Sequence, residues 1–240
     1  MTKPVAIVTG ATGGMGREIV ADLVRTHHVY ALGRNDEALA ELGAWKNVTA
    51  VSTDLVHDLL DAPSEQSSAL QPLLYLTSVD VLVHAAAIAH RHSVESARVA
   101  DWRTLMDVNV VVPAELTRCL LPALRAARGT VVFINSGAGR GAFPDNVVYA
   151  ATKHALYAVA DGLRTAEALA GIRVSTVAPG PTDTPMLAAL MAQTGTDYRP
   201  EFYIDPSEVA KAVRLVVDAG ESTQLTDVAV RPRVELANRR

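Results

Sequence analysis

Close to its start the chain carries an unbroken apolar run, Val5-Ala-Ile-Val8, that gives way to Thr9-Gly10-Ala-Thr-Gly13-Gly14-Met-Gly16. Apolar residues then recur at helical spacing through Arg17-Glu-Ile-Val-Ala-Asp-Leu-Val. A strand that is apolar on both faces needs cover on both faces, which favours parallel strands joined by helices. Glycines between such a strand and helix let the backbone approach a pyrophosphate, and the helix start behind them offers unpaired N–H groups and a positive dipole end. Strand, glycine turn and helix in this order imply a dinucleotide site at the first crossover.

The same alternation continues along the chain. Further strands are expected at 28–32, 48–53, 79–83, 130–135, 172–177 and near Val228. Helices are expected at 36–42, at 65–76 with a proline break, at 101–125, from Tyr149 to about Ala170, and at 206–218, with a loop from Thr182 to Pro200. This pattern predicts an α/β fold: a doubly wound parallel sheet of the Rossmann type, about seven strands with helices on both faces. No repeat or linker interrupts it, so residues 1–240 read as one dinucleotide-binding and catalytic domain.

Composition narrows the partners. The formal charge is −4 and the basic residues are scattered, which argues against nucleic acid. Cys119 is the only cysteine, so no internal disulfide can form. No apolar run approaches the roughly 20 residues that span a bilayer, and the first residues lack a secretory pattern. A soluble, cytoplasmic protein is expected.

A second stretch carries chemistry. Ser136 ends a β-branched run, three glycines and a proline turn the chain back, and Tyr149-Ala-Ala-Thr-Lys153 opens a helix. Tyr149 and Lys153 are one helical turn apart on the same face. A free tyrosine has a pKa of about 10, and a nearby ammonium favours the phenolate. A serine hydroxyl can hold the oxygen whose charge changes. The trio suits proton transfer at a carbonyl or alcohol oxygen. It holds no hydride donor, so redox chemistry needs a cofactor.

Taken together, the chain closely resembles the short-chain dehydrogenase/reductase family in its small single-domain form, over nearly its whole length. Thr9-Gly10-x-x-x-Gly14-x-Gly16 fits the family's cofactor turn; Asp54 matches the aspartate that meets the adenine; Asn109, Ser136, Tyr149 and Lys153 match the four catalytic positions in order and spacing. Pro179-Gly180 followed by Thr184 matches the loop that touches the nicotinamide carboxamide. The resemblance implies Tyr149 as general acid/base, with Lys153 lowering its pKa and holding the nicotinamide ribose. Ser136 would bind the substrate oxygen, and Asn109 would support a proton-carrying water. Cofactor contacts are implied for Gly10, Thr12, Gly14, Met15, Gly16, Arg34, Asp54, Leu55, Ala86, Tyr149, Lys153, Pro179, Gly180, Thr182 and Thr184.

The resemblance departs at His84-Ala85-Ala86-Ala87, where the family carries Asn-Asn-Ala-Gly; a structural histidine is expected at 84. Gly33 stands where NAD-users place an acid, and Arg34 could pair with a 2′-phosphate, so NADP(H) is expected, with NAD(H) as the alternative. His90 and His92 lack a third ligand, and no metal is expected. Apolar residues on several faces of the 101–125 helix and the Tyr149 helix predict a homodimer or homotetramer. Ala138, Arg140, Phe143 and an apolar Met186–Met191 stretch are expected to select a small hydrophobic ketone or alcohol. The competing reading is a silent NAD(P)-sensing regulator; a nucleotide-sugar epimerase or dehydratase would need a larger carboxyl-terminal domain.

Overall fold

A computed structural model describes residues 3–61, 69–193 and 195–238. Its seven strands are β1 (Val5–Thr9), β2 (His28–Gly33), β3 (Val48–Ser52), β4 (Val81–His84), β5 (Thr130–Ile134), β6 (Arg173–Pro179) and β7 (Asp227–Val230). They form one sheet in the order β3-β2-β1-β4-β5-β6-β7, every pair parallel. The chain winds outward in both directions from the boundary between β1 and β4, which makes the carboxyl edge there a crevice. This is the expected doubly wound α/β fold.

Alternation along the buried strands sorts the core into two layers. Ala6 and Val8 of β1 face Ile19, Val20 and Leu23 of α1 (Gly14–Leu23) and Val209, Val213 and Val216 of α8 (Pro206–Val217). Ile7 points the other way, with Leu82, Val131 and Phe133. That face is covered by Leu116, Leu120 and Leu124 of α5 (Val112–Ala127) and by Leu156 and Ala160 of α6 (Val147–Ala166). One residue of register slip would exchange the two sets, so the period-2 pattern fixes each strand. Between β2 and β3, α2 (Asp36–Gly43) starts where the Asn35 side chain accepts the Ala38 N–H at 3.0 Å.

Three expectations change. The 65–76 helix falls partly outside the described residues; within them the helix is a single turn, α3 (Gln71–Leu74), preceded by a π-helical turn at His57–Asp61. The 101–125 helix is α4 (Val99–Met106), a π-helical turn (Asp107–Val111) and α5 in succession. Pro113 explains the interruption: it has no N–H to close the α-helical bond to the Asn109 carbonyl. Finally, the expected loop after Thr184 contains α7 (Pro185–Gln193), because Met-Leu-Ala-Ala-Leu-Met-Ala is rich in strong helix formers. No residue of α7 is buried. Among the described residues no helix is long and apolar enough to cross a membrane.

Candidate active site

At the end of β1 the backbone itself makes the concavity. Gly10 has φ +65°, and a Cβ there would stand 2.7 Å from the Ala86 backbone nitrogen. At Gly16 a Cβ would stand 2.1 Å from the Gly10 carbonyl oxygen. The turn is therefore built of backbone lying on backbone, with room only for hydrogen. Thr9, 1% exposed, ties it to the next strand: its Oγ1 accepts the Ala85 and Ala86 N–H groups, both at 3.1 Å. Those two bonds hold the segment after β4 in place although it lacks the usual asparagines. Across the crevice, a Cβ on Gly14 would meet Thr184 Cγ2 at 2.8 Å, so the Thr182–Thr184 loop closes over the start of α1. A glycine cradle facing a helix start fits a dinucleotide pyrophosphate.

The structure brings Ser136, Tyr149 and Lys153 together. Ser136 follows β5 in extended conformation, and its Oγ accepts the Ala138 N–H at 3.2 Å, leaving its proton free to be donated. Tyr149 lies in the first turn of α6, with its hydroxyl near enough to Ser136 for the serine to favour the phenolate. Lys153 is 2% exposed; its Nζ lies 5.7 Å from the Tyr149 ring centroid and donates to the Ile134 carbonyl at 3.0 Å.

The electrostatics differ from expectation. Burial pushes the Tyr149 hydroxyl up to about 12, only partly opposed by the Ser136 hydrogen bond, and burial pulls the Lys153 ammonium down to about 8. The expected lowering of the phenol by Lys153 is absent here, because desolvation penalises both charged forms and the ammonium is directed at Ile134.

Asn109 sits in the π-helical turn and is 1% exposed. Its Oδ1 accepts the Ile88 N–H at 2.9 Å, while Nδ2 donates to the Ile88 carbonyl at 2.9 Å and to Thr152 Oγ1 at 3.1 Å. Those three bonds tie the amide to the loop after β4 and to α6, where Thr152 in turn donates to the Tyr149 carbonyl at 2.7 Å. His84 is also buried, stacked on Phe133 at 5.0 Å with its Nε2 2.8 Å from Thr117 Oγ1. Thr117 gives its only proton to the Pro113 carbonyl at 2.7 Å, so Nε2 carries the histidine proton. Burial holds the ring neutral, with a pKa of about 3, and Nδ1 has no partner among the described residues. His84 packs in the core beneath α5, as a structural histidine does.

The remaining expected cofactor residues follow the carboxyl ends of β1, β2, β3, β4 and β6. Thr12 lies against Gly33, where a Cβ would stand 2.9 Å from Thr12 Cγ2. Met15 packs on the core beneath α1, and Leu55 on the core of the opposite layer, both of them half-buried. Arg34 Nη1 is 3.7 Å from Asp54 Oδ2, both side chains well exposed at 70% and 49%. Pro179 ends β6, Gly180 donates to the Val230 carbonyl at 2.8 Å, and Thr182 Oγ1 donates to the Gly180 carbonyl at 3.0 Å.

Arg140 does not face the expected pocket. It stacks on Tyr157, 4.7 Å to the centroid, and pairs with Asp227 on β7. Phe143 is exposed. His92 bridges to Asn146 and lies 3.7 Å from Asp101, and Arg91 pairs with Asp145, so this loop braces the start of α6. Among the described residues no group of three or more His, Cys, Asp or Glu could hold a metal ion. Thr152 escaped the sequence reading, because its bonds to Asn109 and to the Tyr149 carbonyl depend on side-chain geometry alone. Thr9 was read only as part of the glycine motif, and its tie to Ala85 and Ala86 was not.

Comparison with known proteins agrees with this arrangement. A family model described as short chain dehydrogenase matches residues 4–195. An uncharacterized oxidoreductase of Staphylococcus epidermidis is 27% identical over 239 residues, covering 96% of this chain and 97% of that one. The crystal structure named as a short-chain dehydrogenase/reductase from Corynebacterium glutamicum shares 46% identity, with a TM-score of 0.72, over 95% of this chain and 100% of that chain. The closed form of a serine dehydrogenase complexed with NADP+ shares 25% identity and a TM-score of 0.80, over 94% of each chain. With a match across four fifths of its length, on a sheet and crevice of the same build, this chain belongs to the short chain dehydrogenase family.

Proposed function

We propose that the protein is an NADP(H)-dependent reductase of a small ketone, acting in reverse on the alcohol, with Tyr149 as its proton donor and acceptor. The observation that supports this most is the convergence of Ser136, Tyr149 and the buried Lys153, whose Nζ lies 5.7 Å from the Tyr149 ring centroid, in a fold that also carries a glycine cradle. Gly10, Gly14 and Gly16 would hold the pyrophosphate, Asp54 the adenine, Lys153 the nicotinamide ribose, and Pro179, Gly180, Thr182 and Thr184 the carboxamide. The cofactor supplies the hydride. Ser136 donates a hydrogen bond to the substrate oxygen, and Tyr149 delivers the proton that this oxygen needs as it becomes an alcohol. The same 240 residues carry both the cofactor and the substrate site. Oxidation of NADPH at 340 nm across ketones, aldehydes and quinones tests the reading, with Tyr149→Phe as the control; tight cofactor binding without turnover would favour the sensing regulator instead.

Preference for NADPH rests on Arg34. Its contact with Asp54 is long and solvent-exposed, and such pairs contribute about 0–1 kcal/mol. A 2′-phosphate can therefore recruit the guanidinium cheaply, in a bidentate bond. Arg34→Ala is expected to weaken NADPH roughly 10-fold in dissociation constant while leaving NADH nearly unchanged. Equal NADPH affinity in the variant would overturn the assignment.

A second copy of the chain is the proposed cover for α5 and α6. Ala114, Leu121, Val159, Gly162, Leu163 and Ala166 line an apolar depression of about 230 Å³ between these helices on their outer side. Light scattering is expected to give a dimer or tetramer, and a monomer at micromolar concentration would rule this out.

A further inference from the structure

Arg231, directly after β7, reaches across the end of β6 towards the serine loop. A Cβ on Gly137 would stand 2.7 Å from Arg231 Nη1, and one on Gly180 would stand 3.1 Å from the same atom. Gly137 adjoins Ser136, and Gly180 belongs to the loop read above as the carboxamide contact. The guanidinium thus spans the gap between the residue that would hold the reacting oxygen and the loop that would hold the cofactor. Its orientation is fixed from behind: Nε and Nη2 donate to Glu235 Oε1 and Oε2 at 2.8 and 2.6 Å. That fork uses one edge of the guanidinium. Nη1 is left over, with no hydrogen bond to any of the described residues.

We propose that Arg231 Nη1 is a specificity-determining donor for a second, neutral oxygen on the substrate, next to the reacting carbonyl. The substrate class is accordingly a hydroxyketone or diketone, in place of the plain hydrophobic ketone expected from the apolar stretch after Thr184. This inference rests on the active-site reading given above. The choice of a neutral oxygen over a carboxylate follows from charge. Glu235 neutralises the arginine in a two-bond pair, and a carboxylate bound at Nη1 would have to approach the Glu235 carboxylate as well. Arg91 and Arg140 are likewise paired, with Asp145 and Asp227. What the site offers is a donor without net positive charge. A packing role alone would account for the contacts with Gly137 and Gly180, but it would leave substrate choice unaffected, and that difference is measurable.

The test compares butanone, 3-hydroxybutan-2-one, butane-2,3-dione and pyruvate, which share a size and differ in the second oxygen. Two readouts are taken. One is kcat/KM with NADPH. The other is the dissociation constant of each compound from the NADP⁺ complex of Tyr149→Phe, followed by thermal shift, which needs no turnover. The expected result is a preference of roughly 10–100-fold for the hydroxyketone and the dione over butanone, the span of one hydrogen bond to a charged donor. Arg231→Met should collapse that ratio towards one. Glu235→Gln should raise pyruvate relative to the hydroxyketone by about 10-fold, because the freed cation then welcomes an anion. The proposal is overturned if the unsubstituted protein shows no selectivity, if it prefers pyruvate, or if Arg231→Met weakens all four compounds equally. Absence of turnover with selectivity intact in the binding readout would retire the reductase reading and leave this inference standing.

Discussion

Replacing Tyr149 with phenylalanine is expected to lower kcat for NADPH-dependent ketone reduction by roughly 10²–10⁴-fold, the range for loss of a positioned general acid. Cofactor affinity should stay within about 3-fold, since the residues of the glycine cradle are untouched and only one hydroxyl is removed. Stability should fall by no more than about 1.5 kcal/mol for the same reason. Stopped-flow or steady-state absorbance at 340 nm reads the first quantity and a cofactor titration the second. A variant that keeps a tenth of the rate would show that the proton comes from elsewhere.

Direction and pH follow from the two shifted groups. With its hydroxyl pushed up to about 12, Tyr149 holds its proton throughout the neutral range and is ready to act as an acid. Acting as a base for alcohol oxidation, it would first have to ionise. Reduction should therefore dominate near pH 7, and oxidation should climb with pH. Lys153, pulled down to about 8, carries its charge below that pH and loses it above. Since the charged ammonium is the stronger donor to the nicotinamide ribose that Lys153 is proposed to hold, kcat/KM for reduction is expected to be flat below about pH 8 and to decline above it. In stability the sign is opposite. A lysine whose folded pKa is depressed opposes folding while protonated, and this opposition fades as pH rises from about 8 towards the ordinary lysine value.

These consequences show where sequence reading stopped. The order of strands and helices, the cradle at Gly10 and Gly16, and the Ser136–Tyr149–Lys153 cluster all follow from periodicity, turn chemistry and spacing, because each is set by neighbours within a turn or a strand. The sign of the Tyr149 shift was not legible, since it depends on whether Lys153 points at the phenol or at Ile134. Asn109 was found by its position, yet its engagement with Ile88 and Thr152 joins segments 21 and 43 residues away. The π-helical turn beneath it was foreshadowed by Pro113 and was overlooked in favour of one long helix. Arg140 turns away from the substrate side, while Arg231, to which sequence reading assigned no role, lies beside Gly137 and Gly180: the first is held by Asp227, far along the chain, and the second by Glu235, four residues on.

The largest structural effect is expected at Gly16. Alanine there would place its methyl carbon 2.1 Å from the Gly10 carbonyl oxygen and 2.8 Å from the Gly10 carbonyl carbon, both backbone atoms that no rotamer change can remove. Relief requires α1 to move off the β1 turn. That movement loosens Ile19, Val20 and Leu23 from the sheet and also displaces the N–H groups proposed to meet the pyrophosphate. Overpacking of this kind costs roughly 1–3 kcal/mol, which for a chain of this size lowers Tm by about 3–10 °C. Cofactor affinity should fall more than 10-fold, because the strain is relieved within the binding surface itself. Gly13→Ala provides the comparison on the same turn: its nearest neighbour among the described residues would be the Gly10 oxygen at 3.3 Å, a contact that a shift of a few tenths of an ångström relieves. If calorimetry and cofactor titration show the two variants alike, the close approach of Gly16 to Gly10 does not control the cradle, and the assignment of the pyrophosphate to this turn loses its physical basis.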